Sequence, residues 1–167
     1  MKNITITFLA IFTFFALPQT VYAATSEVTW TDYEKYRDIK SGGGSRKHFR
    51  ERVFDELEKH FAKLATSLPE GQALNINVTD VDLAGDVHIG IKQFRIIKDI
   101  YSPRMNFSYS LVNADGNIIA SDEVVLKNMN FLMDNSLKYR NKSLGYEKKM
   151  LDGWFTDTFK SLVVEKE

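Results

Sequence analysis

Residues 73–86 read ALNINVTDVDLAGD, and this stretch decides how the chain folds. Leu74, Ile76 and Val78 alternate with polar residues, which predicts a strand that buries one face and leaves the other in water. Because side chains alternate with a period of two, an unbroken strand would carry Asp80 and Asp82 onto the buried face. Two ionised carboxylates there would be costly to desolvate and would repel one another.

The apolar residues that follow, Val81 and Leu83, lie in the opposite phase to the strand before them. A one-residue bulge near Thr79 would return both to the core and release Asp82 to the wet face. We therefore expect a bulge here, with Asp82 exposed and Asp80 bound to backbone N–H groups of the bulge.

The flanking segments predict the rest of the sheet. Residues 27–30 (EVTW) read as a short strand, and residues 87–97 keep an extended character. Residues 105–111 and 118–126 alternate on either side of Asn113-Ala114-Asp115-Gly116, where Asp-Gly is a hairpin signal. Odd positions of the first of these two strands should pair with even positions of the second, so that their apolar faces agree.

Two amphipathic helices complete the pattern. Ser45 can cap the first, and Pro69 and Gly71 end it. Its apolar stripe comprises Phe49, Val53, Phe54, Leu57, Phe61, Leu64 and Leu68, while the second helix carries Met150, Leu151, Trp154, Phe155, Phe159 and Leu162. We interpret the aromatic stripe as core. The expected fold class is α+β, with a mixed or mostly antiparallel sheet of four to five strands and two helices packed on one face.

The first 23 residues are typical of a secretory signal peptide. Lys2 is followed by an apolar run over residues 4–17 and by Val21-Tyr22-Ala23, which favours cleavage after Ala23. Residues 24–167 then form a single α+β domain. The chain has no cysteine, which excludes a disulfide framework, a lipid-modified cysteine and a thiol nucleophile. An exported chain without disulfides indicates a bacterial periplasm.

The charge pattern limits the partners. After cleavage the chain holds 21 basic and 22 acidic residues, a net charge of −1, and shows no basic stripe. We therefore expect no nucleic acid partner, no stable membrane insertion after signal cleavage, and no cofactor.

Three acids resemble the start of a calcium loop. Asp80, Asp82 and Asp86 have part of the spacing, but Ala84 and Ile91 stand where an EF-hand needs its third acid and its final Glu. We expect no bound metal at this position.

A carboxylate-based or cation-dependent hydrolase acting on a cell-envelope substrate is the alternative to a binding protein. Asp122 breaks the apolar face of its strand. Asp80 and Asp82 could act as catalytic acids together with a further acid such as Asp122 or Glu147. No serine–histidine signature is present to support another mechanism. We favour surface carboxylates that cap turns or meet Arg95 and Arg104.

The stretches LPEGQAL (68–74), VTDVDLAG (78–85) and YEKKMLDGWF (146–155) resemble the bacterial domain-of-unknown-function family 3016. The resemblance covers nearly all of the chain after residue 23. It implies an exported protein of a Gram-negative bacterium and a periplasmic location, and it implies no reaction.

We therefore expect a soluble, monomeric or weakly oligomeric periplasmic module that binds an envelope protein or glycan without catalysis. The candidate binding residues are Asp80, Asp82, Asp86, Arg104, Asp122, Tyr146 and Glu147.

Overall fold

The computed structural model describes residues 23–163, except residues 89, 91–92, 134–137 and 140. The expected signal peptide therefore lies outside the described residues apart from Ala23, as do Ile89 and Ile91. The elements are β1 (Thr25–Trp30), a 3₁₀ turn (Tyr33–Lys35), α1 (Arg46–Ala65), β2 (Ala73–Asp82), β3 (Asp86–His88), β4 (Phe94–Ile96), β5 (Arg104–Val112), β6 (Ile118–Lys127) and α2 (Gly145–Phe159).

The main sheet has four strands in the order β1-β2-β5-β6. β1 runs parallel to β2, and α1 makes the crossover between them. β2, β5 and β6 are antiparallel, with Phe107 opposite Val124 and Leu111 opposite Ala120. The sheet is thus mixed, and the predicted pairing of odd with even positions in the hairpin is confirmed.

The β3–β4 hairpin corrects one expectation. Its strands, Asp86–His88 and Phe94–Ile96, pair with each other in a separate two-stranded sheet, so they do not widen the main sheet. The expectation of four to five strands is met by the four strands of the main sheet alone.

α1 begins where its sequence predicts. The Ser45 hydroxyl accepts a hydrogen bond from the backbone N–H of His48, which satisfies one of the free donors of the first turn. The helix buries Val53, Leu57 and Phe61 against the sheet. The predicted apolar stripe is therefore the packing face of α1.

α2 packs beside α1 on the same face of the sheet. The Trp154 ring meets Phe107 edge-on, with 4.8 Å between ring centroids, and lies 6.4 Å from Phe61 of α1. This confirms the aromatic stripe as core, because each ring contacts another in the edge-to-face geometry that aromatic pairs prefer. Neither helix of the described chain combines the length and apolar composition needed to cross a membrane.

The other face of the sheet is polar, as the alternation predicts. Asn75 and Asn77 of β2 and Ser108 and Ser110 of β5 line a shallow depression there. The α+β class, the mixed sheet and the two helices on one face all agree with the sequence.

Candidate functional site

The predicted bulge is present in β2. Val78 lies opposite Phe107 and Asp80 opposite Asn106, so Thr79 is the extra residue in the strand. Val81 is fully buried as a result. The Tyr36 hydroxyl donates a hydrogen bond of 2.6 Å to the Val78 carbonyl and so braces the strand beside the bulge.

Asp80 binds a loop rather than the bulge. Its Oδ1 accepts a hydrogen bond of 2.8 Å from the Arg37 backbone N–H, and its Oδ2 lies 3.7 Å from the Arg37 guanidinium. The expectation that Asp80 satisfies backbone N–H groups of the bulge was therefore wrong. Its carboxylate instead ties the segment after β1 to β2.

Asp82 is half-buried, with only 21% of its side chain exposed, where we expected an exposed contact residue. Its Oδ2 lies 3.9 Å from Arg104 Nε, and the two residues face each other across β2 and β5. Burial and the nearby Asp38 carboxylate raise the pKa of Asp82, against the lowering effect of Arg37 and Arg104. The carboxylate is therefore more basic than a surface aspartate.

A polar cavity of about 220 Å³ brings three of the sequence-predicted residues together. Asp82, Asp86 and Arg104 line it with Asp38, and Arg37 links it to Asp80. Its remaining charged lining residues are Arg37 and Lys40. Three carboxylates thus face three cations, so the charges inside the cavity balance without a metal. No group of three or more metal-binding side chains occurs among the described residues.

Asp122 lies far from this cavity. It stands opposite Tyr109 on β5, whereas Asp82 stands opposite Arg104, five residues earlier on the same strand. At about 3.4 Å per residue the two acids are displaced by roughly 17 Å along the sheet, beyond the separation of glycosidase carboxylates. Asp122 also shares the helix-bearing face with Val124, while Asp82 points to the other face. They cannot act as a catalytic pair.

Arg95 of β4 forms a half-buried connection that the sequence did not single out as a site. Its guanidinium donates 2.8 Å hydrogen bonds to Asp38 Oδ2 and to the Gly85 carbonyl, and a 2.9 Å bond to the Lys40 carbonyl. The ion pair joins residues 57 positions apart in the chain. No local pattern could have paired them, although an arginine inside the apolar run FRII was a visible signal.

A second, larger cavity of about 420 Å³ is lined in part by Arg95. The N-terminus of α2, residues 83–84 after β2, and Gly42 enclose it. Gly42 is required here, because a Cβ at this position would lie 2.9 Å from Phe94 Cα. The side chains of the lining are Phe49, Leu83, Ala84, Arg95, Ile97, Leu132, Tyr139, Lys142, Leu144, Tyr146, Glu147 and Lys149.

Glu147 is the buried acid of this apolar cavity. It is 2% exposed, and its Oε1 accepts a 2.7 Å hydrogen bond from the Ala84 N–H. Burial raises the pKa of Glu147, while backbone hydrogen bonds and the charges of Arg95 and Lys148 partly oppose the rise. Tyr146, the neighbouring candidate, also lines the cavity and meets Phe131 edge-on at 4.9 Å.

A polar contact between the helices was also missed. His60 of α1 is half-buried, and its Nε2 lies 2.6 Å from Asp152 Oδ1 of α2. Burial alone would raise the pKa of Asp152, but His60 and Lys138 outweigh it and hold this pKa below its usual range. The cluster fastens α2 to α1 and lines neither cavity.

Comparison with known proteins gives a family and no activity. The model of the DUF3016 family, described as a protein of unknown function, matches residues 24–157. No curated protein and no solved structure matches the chain.

Proposed function

Since the chain belongs to the DUF3016 family, whose description assigns no activity, we propose a function from the site itself. The protein is a non-catalytic binding module of the periplasm that takes an apolar part of an envelope component into the cavity beside Glu147. Export rests on the signal-like residues 1–23, with cleavage after Ala23. Residues 24–167 act as one binding domain.

The cavity is the observation that carries this proposal. Its volume of about 420 Å³ falls within the range of roughly 300–1,000 Å³ typical of small-ligand sites. Its walls are mainly aliphatic and aromatic side chains with a few polar groups, which is the usual composition of such a site. This lining favours an acyl chain over the glycan that the sequence left open.

The charges of the lining favour an anionic head group. Arg95 is already bound to Asp38 and to backbone carbonyls, so it contributes structure rather than ligand binding. Lys142 is exposed beside the cavity, and Lys149 also lines it. The single acid, Glu147, is buried and bound to Ala84. A single-chain anionic amphiphile therefore matches both the apolar walls and the cationic rim.

A fluorescence titration with dansyl-labelled undecanoic acid tests the proposal. We expect saturable binding to the mature chain, and a loss of affinity of about tenfold or more when Ile97→Trp fills the cavity. Ile119→Trp on β6 is the matched control, because Ile119 is 43% exposed against 40% for Ile97 and lies outside the cavity. Equal affinities for the two variants, or no saturable binding, would reject the cavity as the site.

The head-group assignment has its own test. Lys142→Glu should weaken binding of the fatty acid several-fold and leave binding of the matching uncharged alcohol unchanged. Lys160→Glu, an equally drastic charge change at an exposed position after α2, is the control. An equal loss of affinity for the fatty acid and for the alcohol would show that Lys142 does not recognise the charge of the head group.

Export is tested by the mass of the protein recovered from a periplasmic fraction after expression of the full chain in a Gram-negative host. The proposal expects a chain that begins at Ala24. A chain that keeps residues 1–23, or that stays in the cytoplasmic fraction, would contradict the proposed location.

A further inference from the structure

β6 is an edge strand with one open side. It spans Ile118–Lys127 and pairs with β5, and no backbone hydrogen bond joins its outer side to any other described segment. An open edge presents unpaired N–H and C=O groups that can pair with another strand. β6 is ten residues long, so it offers a template of useful length.

The second half of β6 carries at least one apolar side chain on each face. Val124 and Leu126 are half-buried on the helix-bearing face, at the margin of the core. Val125, on the opposite face, is 77% exposed and stands between Glu123 and Lys127. This highly exposed β-branched residue lies between an acid and a base at the open edge of the sheet. It is therefore placed to pack against a strand of another chain.

The sequence of β6 is complementary to itself in one antiparallel register. A two-fold axis perpendicular to the sheet through Val125 places that residue opposite its own copy. Glu123 of each strand then faces Lys127 of the other, on the polar face. On the helix-bearing face, Val124 faces Leu126 twice. Opposite charges and apolar pairs directly across two strands are the pairs that stabilise a sheet.

The neighbouring registers do not give favourable side-chain pairs on both faces of the sheet. An axis through Glu123 or Asp122 places two identical carboxylates opposite each other, which is destabilising. An axis through Val124 leaves Glu123 facing Val125 and Asp122 facing Leu126. The register through Val125 thus satisfies the charges on one face and the apolar side chains on the other.

We propose that the protein forms a homodimer by antiparallel pairing of β6 with β6 of a second copy, in the register centred on Val125. Two four-stranded sheets then join into one sheet of eight strands, with all four helices on the same face. The ligand cavity includes no residue of β6. This proposal does not depend on ligand binding.

Sedimentation velocity over a concentration series tests the dimer. We expect the mature chain to double in mass as its concentration rises. Glu123→Lys and Lys127→Glu should each weaken the dimer by about tenfold or more, because each places like charges opposite one another at two points. A monomer at every concentration would overturn the proposal, as would dimers of unchanged strength in both variants.

A mixture of the two variants provides the sharper result. Glu123→Lys carries lysine at both positions, and Lys127→Glu carries glutamate at both. An equimolar mixture should therefore form a heterodimer more strongly than either variant pairs with itself. Val125→Lys should also block pairing, while Ile118→Lys, at a 66% exposed position outside the paired segment, should not. Circular dichroism melts confirm that each variant is folded. No heterodimer from folded variants would contradict the register.

Discussion

Gly85 lies between the end of β2 and the β3–β4 hairpin and lines the smaller, polar cavity. Its φ of +83° is in the left-handed region that side chains other than glycine rarely adopt. A Cβ here would also lie 2.5 Å from the Ile96 carbonyl oxygen. A single glycine therefore permits the close approach of the hairpin on which the Arg95 connection depends.

Gly85→Ala is expected to lower the free energy of unfolding by about 1–3 kcal/mol, and urea denaturation measures the change. Gly116→Ala is the matched control, since Gly116 has a similar φ of +81° but no atom within 4 Å of the added Cβ. The control should lose only the strain of the backbone. If the two variants lose equal stability, the contact with Ile96 is not significant.

The buried Glu147 should make the stability of the fold depend on pH. Its folded-state pKa is raised by burial, so the stability that the neutral acid contributes is fully present below the unfolded pKa and is lost as pH rises through the folded pKa. Glu147→Gln keeps an acceptor for the Ala84 N–H and removes this loss. Its melting temperature relative to the native chain should therefore increase as pH is raised from acid to neutral.

The exposed Glu70→Gln serves as the control for Glu147→Gln, with no such trend expected. If the difference in melting temperature between the native chain and Glu147→Gln is the same at every pH, the pKa of Glu147 does not differ between the folded and unfolded states as described.

Ion pairs between residues that are distant in the chain could not be predicted from the sequence. Asp38 pairs with Arg95, and His60 with Asp152, across separations of 57 and 92 positions. Such pairs follow from how elements pack and leave no periodic signal in the chain. Asp82 was expected to be exposed because alternation gives only the face on which a residue lies. Its cover by residues 37–40 and 100–102 comes from loops.

At the scale of elements, the strands were predictable because one face of each is buried. The shift in phase between Val78 and Val81 indicates the bulge from the sequence alone, and the pairing with β5 confirms it. Helix positions were predictable for the same reason, from stripes at helical spacing. The β3–β4 hairpin escaped prediction, because its extended pattern does not reveal which strand it pairs with.

Because the bulge contains one extra residue, deletions at different positions of β2 should have different effects on folding. Removing Thr79 leaves Val78 opposite Phe107 and Asp80 opposite Asn106, so a regular strand with the same buried residues results. We expect this variant to fold, with a cooperative thermal melt by circular dichroism. Removing Asn77 instead should abolish or severely weaken folding, because it moves Leu74 and Ile76 to the polar face. Similar losses for both deletions would show that the bulge is not the tolerated extra residue.

At the scale of the whole molecule, the class of fold could be predicted and the cavities could not. The order of elements and their apolar faces allow few arrangements other than two helices on one side of a mixed sheet. A cavity depends on gaps between elements, and the one beside Glu147 is closed by α2, the Gly42 loop and the hairpin together. The sequence analysis named Tyr146 and Glu147 as candidate binding residues, but it did not predict that they line an enclosed cavity.

Ligand binding should stabilise the whole fold. Dodecanoate at about 100 times its dissociation constant should add roughly 2.7 kcal/mol to the free energy of unfolding if it binds only the folded chain. A thermal melt monitored by circular dichroism measures this as a rise in melting temperature. The rise should be lost in Ile97→Trp and kept in Ile119→Trp. An unchanged melting temperature of the native chain would count against a ligand at this site.

Amide NMR of the isotope-labelled mature chain during a dodecanoate titration locates the binding site residue by residue. We expect saturable shifts that cluster at the cavity, above all at Ala84, whose N–H donates to Glu147, and at Leu144 and Gly145. Val125, on the far edge of the sheet, should not move. Shifts that fail to saturate, or that cluster away from Ala84 and Gly145, would contradict a binding function for this cavity.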